Sequence, residues 1–152
     1  MLIKKITWKD SDKKGSDKTV EVEYVDSNDK IERTIKVKND HLPLESFEEK
    51  WESFKSILFE ACEFNDEQAE HFDEITEITG LSLSHSDKDG GTGLTISARI
   101  DLEDKKVLCL NTPHRVYELG SDEYNLIEEM LEEVNKYMRG EHQEKQLTFA
   151  GA

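Results

Sequence analysis

The sequence predicts an α+β domain: an antiparallel sheet of about six strands, in the chain order βββ-α-βββ-α, with two main helices packed on it. Three observations predict it. Before residue 40, three runs alternate apolar and polar residues, the period of a half-buried strand. Two later stretches repeat their apolar residues at steps of three and four, the period of a helix with one buried face. A glycine-rich loop and a short charged turn then mark off further strand-like runs. A chain of 152 residues is about one domain long and buries roughly two thirds of the surface of its unfolded form. With 35% hydrophobic and 36% charged residues, its core is expected to be modest and its surface densely ionised.

The first strands are Met1 to Trp8, Thr19 to Val25 and Ile31 to Val37. Asp10 to Lys18 and Asp26-Ser27-Asn28-Asp29 supply the turns, which gives a three-stranded antiparallel meander. Pro43 can open a helix, and Ser46 followed by Glu49 has capping-box spacing. Phe47, Trp51, Phe54, Leu58 and Ala61 then share one face of a helix over about 44–63. Asn65 with Gln68 caps a short further turn through about His71, and Ile75 to Ser84 is extended. Asp87 to Gly93 is the strongest loop signal, because its glycines tolerate positive φ. Strands follow at about 93–102 and 106–110 around a turn at Glu103-Asp104-Lys105. Asn111-Thr112-Pro113-His114 is expected to end the sheet, since Pro113 has no N–H for a ladder. Ser121 is a good N-cap, with Asp122 and Glu123 at the positive end of the last helix. Its stripe is Tyr124, Ile127, Met130 or Leu131, Val134 and Tyr137 or Met138, and Gly140 stops it. The domain spans 1–140, and 141–152 is a flexible tail. Cys62 and Cys109 sit among apolar neighbours, as small buried hydrophobes in a reducing cytoplasm.

Charge divides the chain. Residues 1–55 carry 12 basic and 13 acidic groups, whereas residues 56–152 carry 8 and 22, so nearly all of the net −15 lies in the second part. Between Lys55 and Lys88 there are nine acidic side chains and no lysine or arginine. Glu60, Glu63, Asp66, Glu67, Glu70, Asp73 and Glu74 come from that run, and Glu128, Glu129, Glu132 and Glu133 from the last helix. Such a field repels nucleic acid and anionic lipid and attracts basic protein surfaces. Carboxylates spaced about 6 Å apart along a helix also imitate successive phosphates of a nucleic-acid strand. These eleven acids are the candidate partner-binding residues, and no apolar run approaches the ~20 residues needed to span a membrane.

Catalytic and metal chemistry find little support. Asp10, Asp12, Gly15 and Glu21 fall at four calcium-loop positions, but Lys14 occupies a ligand position and the flanks read as strands. Gly90-Gly91-Thr92-Gly93 lacks the Gly-Lys-Ser/Thr ending of a phosphate cradle. Five histidines are spread singly, and Cys109 with His114 has no third metal ligand at usable spacing. Crowded exposed carboxylates lack the desolvation that makes a general acid. The expectation is a protein with no cofactor, no metal and no catalytic residue.

The tail, Gln143 to Phe149, resembles the short peptides that dock bacterial sliding clamps, with Leu147 and Phe149 as anchors and Glu144 where such peptides place glutamine. Cys62-Glu63 after an apolar helix, Val107-Leu108-Cys109-Leu110-Asn111-Thr112-Pro113-His114, an acidic terminal helix and a tail ending near phenylalanine together resemble a family of small proteins encoded by bacteriophages and prophages. The resemblance covers roughly residues 45–149 and is sharpest at Leu-Asn-Thr-Pro-His. It implies a phage accessory product acting in the bacterial cytoplasm, and it transfers no catalytic residues. The functional expectation is a non-enzymatic acidic protein that binds and inhibits a basic, nucleic-acid-handling bacterial protein, such as a defence nuclease. The alternative is a replication or recombination accessory factor recruited to the clamp by its tail.

Overall fold

The computed structural model describes residues 2–10, 18–28, 31–85 and 90–143. Its strands are β1 (Leu2–Asp10), β2 (Lys18–Asn28), β3 (Ile31–Asn39), β4 (Thr76–His85), β5 (Thr92–Asp101), β6 (Val107–Asn111) and β7 (Arg115–Tyr117). Its helices are α1 (Glu45–Ala61), α2 (Asp66–Asp73) and α3 (Asp122–Met138). The fold is α+β with a single antiparallel sheet in the order β3-β2-β1-β4-β5-β6, and β7 also pairs with β5. The N-terminal meander is therefore joined to the later strands through β1 and β4, with Ile6 opposite Leu81.

Period-two patterning decides which face is buried. Ile6, Trp8, Val20, Val22, Ile78, Leu81, Leu94, Ile96 and Ala98 enter the core from the strands. Phe47, Trp51, Phe54 and Leu58 enter from α1, and Ile127, Met130, Val134 and Tyr137 from α3. Trp51 is pinned in depth and in angle: its Nε1–H donates to the Ile78 carbonyl at 2.9 Å, and the Trp8 ring meets it nearly edge-on at 6.0 Å.

Several expectations are corrected. The α1 stripe includes Ile57 and Phe59, while Ala61 is only half-buried. No side chain caps α1: Leu44 is its N-cap residue, and the Ser46 hydroxyl donates to Glu133 Oε2 at 2.7 Å instead. By contrast, the Asn65–Gln68 capping box, the Ser121 cap and the Gly140 stop, at φ 94°, are all present. Cys109 is exposed and Cys62 half-buried; both are free thiols, and burial pushes the Cys62 thiol up from its ordinary value.

The sheet also does not end at Pro113. The Thr112 N–H donates to the Ile96 carbonyl, and the Thr112 hydroxyl accepts from the Ile96 N–H, both at 2.9 Å. A side-chain oxygen thus takes the place of a ladder carbonyl, and pairing resumes in β7, which makes seven strands instead of about six. At the other end of the chain, residues 141–143 are tied down. His142 bridges Pro43, its ring stacks on His41 at 4.0 Å, and the Gln143 N–H donates to the Leu42 carbonyl at 2.8 Å. Tyr137 supports this corner by donating to the His41 carbonyl at 2.7 Å; burial, with Asp40 nearby, pushes its phenol up to about 12.

Candidate acidic interaction surface

The charge division follows the layers of the fold. α1, α2 and α3 carry 15 acidic and three basic groups, a net of −12, whereas the seven strands carry seven acidic and nine basic groups, a net of +2. The sequence halves were a proxy for this: meander lysines in the first part, most helical carboxylates in the second.

The lysines of α1 are consumed inside the helical layer. Lys50 bridges to Glu129 of α3 at 2.7 Å, and that hydrogen bond chiefly lifts its pKa above the ordinary lysine value. Lys55 is turned toward α2, donating to the Asp73 carbonyl and bridging Glu52, each at 2.9 Å. It therefore supplies a cation to the negative C-terminal end of α2. What remains on the outside is an almost unrelieved set of carboxylates.

α1 and α2 enclose an open groove of about 890 Å³. Phe59, Phe64 and Ala69 line its apolar part, and Glu52, Glu60, Asp66, Glu70, Asp73 and Glu74 supply carboxylates. Five of the candidate residues thus converge here. The Asn65–Gln68 box fixes the start of α2, and Phe64 spans the gap, with ring centroids 5.8 Å from Phe59 and 5.2 Å from Phe72. Glu67 is exposed but outside the groove lining. Glu63 occupies the left-handed region at φ 58° just past α1, where the Phe64 N–H reaches back to the Phe59 carbonyl at 3.0 Å. With Glu60 it lines a smaller cavity of about 260 Å³ between the end of α1 and the strand edge at Thr112 and Arg115.

On α3, Glu128, Glu129 and Glu132 are exposed, but Glu133 is not. It is only 7% exposed, accepting from Ser46 at 2.7 Å and pairing with Lys136 at 3.2 Å. Glu133 is therefore a structural link between α1 and α3 and is withdrawn from the partner-binding set. Its position was readable: it lies three residues after Met130 and four before Tyr137, on the buried stripe. The roles of Lys50 and Lys55 had no such signal, since a lysine on a helix gives no hint of which neighbouring element it meets. Leu147 and Phe149 lie outside the described residues, as do Asp12, Gly15 and the Asp87–Asp89 part of the glycine loop.

His114 sits on the face of the sheet that the helices leave open. Its Nε2 lies 3.2 Å from Ser84 Oγ and its Nδ1 3.5 Å from Thr95 Oγ1. The ring lies where a Cβ on Gly93 would stand, so this close approach requires glycine there. A serine–histidine contact with a neutral hydroxyl as third member lacks the anion that stabilises an imidazolium. Among the described residues no group of three histidine, cysteine or acidic side chains has metal-binding geometry, and no helix is long and apolar enough to cross a membrane. Comparison with protein-family models, curated proteins and solved structures found no match.

Proposed function

We propose that this chain is a non-catalytic binding protein whose helical layer captures a basic protein surface, of the kind that nucleic-acid-handling proteins present to phosphates. The single observation that carries this is the separation of charge by layer, 15 acidic against three basic groups on the helices. The groove between α1 and α2 adds a concave shape with an apolar lining, so that lysine and arginine stems can pack on Phe59 and Phe64 while their charges meet Glu60, Glu70 and Asp73. Glu128 and Glu132 extend the negative field along α3. The phage resemblance suggests a bacterial host and, within it, a defence nuclease as the class of target, inhibited by occupation of its nucleic-acid groove.

The test is capture from bacterial extract, comparing the wild-type chain with a variant carrying Glu60→Lys, Glu70→Lys, Glu128→Lys and Glu132→Lys. Basic nucleic-acid-handling proteins are expected on the wild-type chain at about 50 mM salt, depleted at about 500 mM and absent from the variant. Retention that is indifferent both to salt and to the four reversals would defeat the proposal.

A further inference from the structure

Between β6 and β7, where Pro113 interrupts the sheet, the last turn of α1 closes over the gap and leaves the cavity of about 260 Å³. Register decides what the strands offer to it. Arg115 lies opposite Leu94 and Tyr117 opposite Thr92, so both side chains stand on the side of the sheet that carries Leu94 and the helices. From α1, Glu60 and Ala61 follow Ile57 by three and four residues and face the same way. Ile57, Leu94 and Ile96 are buried and form an apolar floor, while Glu60, Glu63 and Arg115 are exposed at the mouth.

Charges of both signs thus share one small cavity without meeting. Among the described residues Glu60, Glu63 and Arg115 form no ion pair, so no oxygen of either carboxylate comes within 4.0 Å of the guanidinium nitrogens. Instead the guanidinium carbon lies over the Tyr117 ring, 5.4 Å from its centre, a contact that uses the flat face of the group and leaves its edge N–H donors for a planar anion. Burial lifts the Tyr117 phenol above its ordinary value, against the pull of Arg115, so its hydroxyl stays a donor at neutral pH. Thr112, buried in the same wall, accepts the Ile96 N–H and gives its own hydrogen to no group among the described residues. Opposite, the negative end of α1 adds to the two carboxylates. One wall therefore donates and the other accepts.

We infer that this cavity binds a free α-amino acid with an apolar side chain: the carboxylate is held by Arg115, the ammonium by Glu63 and Glu60, and the side chain packs on Ile57, Leu94 and Ile96. The two signs of charge select this ligand. A simple cation is drawn to the carboxylates but repelled by Arg115, and a simple anion meets the reverse, whereas a zwitterion satisfies both walls. Size points the same way, because the volume falls just below the roughly 300–1,000 Å³ of pockets for drug-sized molecules. The cavity shares only Glu60 with the groove between α1 and α2, so amino-acid binding goes beyond the capture of a basic protein and does not rest on it.

Titration of the full chain with L-leucine, L-methionine and L-phenylalanine, followed by the NMR signals of the backbone amides, tests this. At least one of the three is expected to shift Ala61, Thr112 and Tyr117 with a dissociation constant below about 1 mM. The amide of that amino acid, which lacks the carboxylate, and its deaminated acid, which lacks the ammonium, are each expected to bind at least about tenfold more weakly. Arg115→Gln is expected to abolish the preference over the amide, and Glu63→Gln to reduce the preference over the deaminated acid. Thermal melting should be unchanged in both, because both side chains are exposed. Neither position is among the four reversals that test protein capture, so cavity and groove are probed separately. No binding at about 10 mM, shifts that avoid the cavity, an amide or deaminated acid that binds as well as the amino acid, or preferences that survive both substitutions overturn the inference.

Discussion

The helical layer and the open face of the sheet handle charge in opposite ways. On the sheet, register sets opposite charges side by side: Lys5 lies across from Glu23, Glu23 from Lys36 and Glu21 from Lys38. Such cross-strand pairs contribute roughly 0.2–1 kcal/mol each. Toward β5 the charges give way to the hydroxyls of Ser82, Ser84, Thr95 and Ser97, beside His114. On the helices, Lys50 and Lys55 are turned to a neighbouring helix and Lys136 pairs within α3, and most carboxylates are left facing water. The like-charged pairs of α3 show both treatments. Glu129 is answered by Lys50 and Glu133 by Lys136, but Glu128 and Glu132 lie four apart with no cation opposite either among the described residues, an arrangement costing roughly 0.2–0.5 kcal/mol. The difference teaches that the negative surplus is specific to one layer, because the same chain neutralises itself where strands adjoin.

The strongest way to break the comparison is to detach the two layers. Trp51→Ala removes the largest fully buried side chain, and its bond to Ile78, between α1 and the sheet; a loss of about 3–5 kcal/mol is expected, measured as a shift of the urea midpoint. The layer's own internal contrast comes next. Glu133→Ala leaves Ser46 and Lys136 without their acceptor and is expected to cost about 1–3 kcal/mol, whereas Glu132→Ala, one residue away and exposed, is expected to change stability by less than about 0.5 kcal/mol. Equal effects at the two positions would erase the distinction between displayed and structural carboxylates. The smallest effect has the opposite sign. Glu63→Gly relieves a left-handed backbone and is expected to stabilise the protein by roughly 0.5–1 kcal/mol while removing one carboxylate from the surface, which differential scanning calorimetry can resolve.

Much of the fold was legible in the sequence because period and turn chemistry are local properties. The meander, α1, the Asn65–Gln68 box, the strands on either side of the glycine loop and the Ser121-to-Gly140 helix all follow from residues within a few positions of each other. What failed depended on distant partners. Ser46 has a cap's spacing, yet its hydroxyl goes to Glu133, 87 residues away, a competitor that no local window contains. Pro113 correctly signals a missing donor, but the rescue by Thr112 depends on Ile96 across the sheet. Cys109 has apolar neighbours in sequence and is nonetheless exposed, because it points from an edge strand to the uncovered side. For the site, the acidic run gave the residues but not the concavity. The groove exists only because α2 folds back beside α1 around Phe64 and Lys55.

That hinge of the groove is also its weakest component. α2 has eight residues, none of them buried; a reciprocal cap, two half-covered side chains, the Lys55 ammonium on the Asp73 carbonyl and the Thr76 hydroxyl on the Phe72 carbonyl hold it in place. Its amide protons should exchange long before those of the sheet, as a local opening that leaves the rest of the domain intact. In that opened form Asp66, Glu70 and Asp73 separate from Glu60, so a visitor that holds them together would slow the exchange and lend rigidity to this short helix.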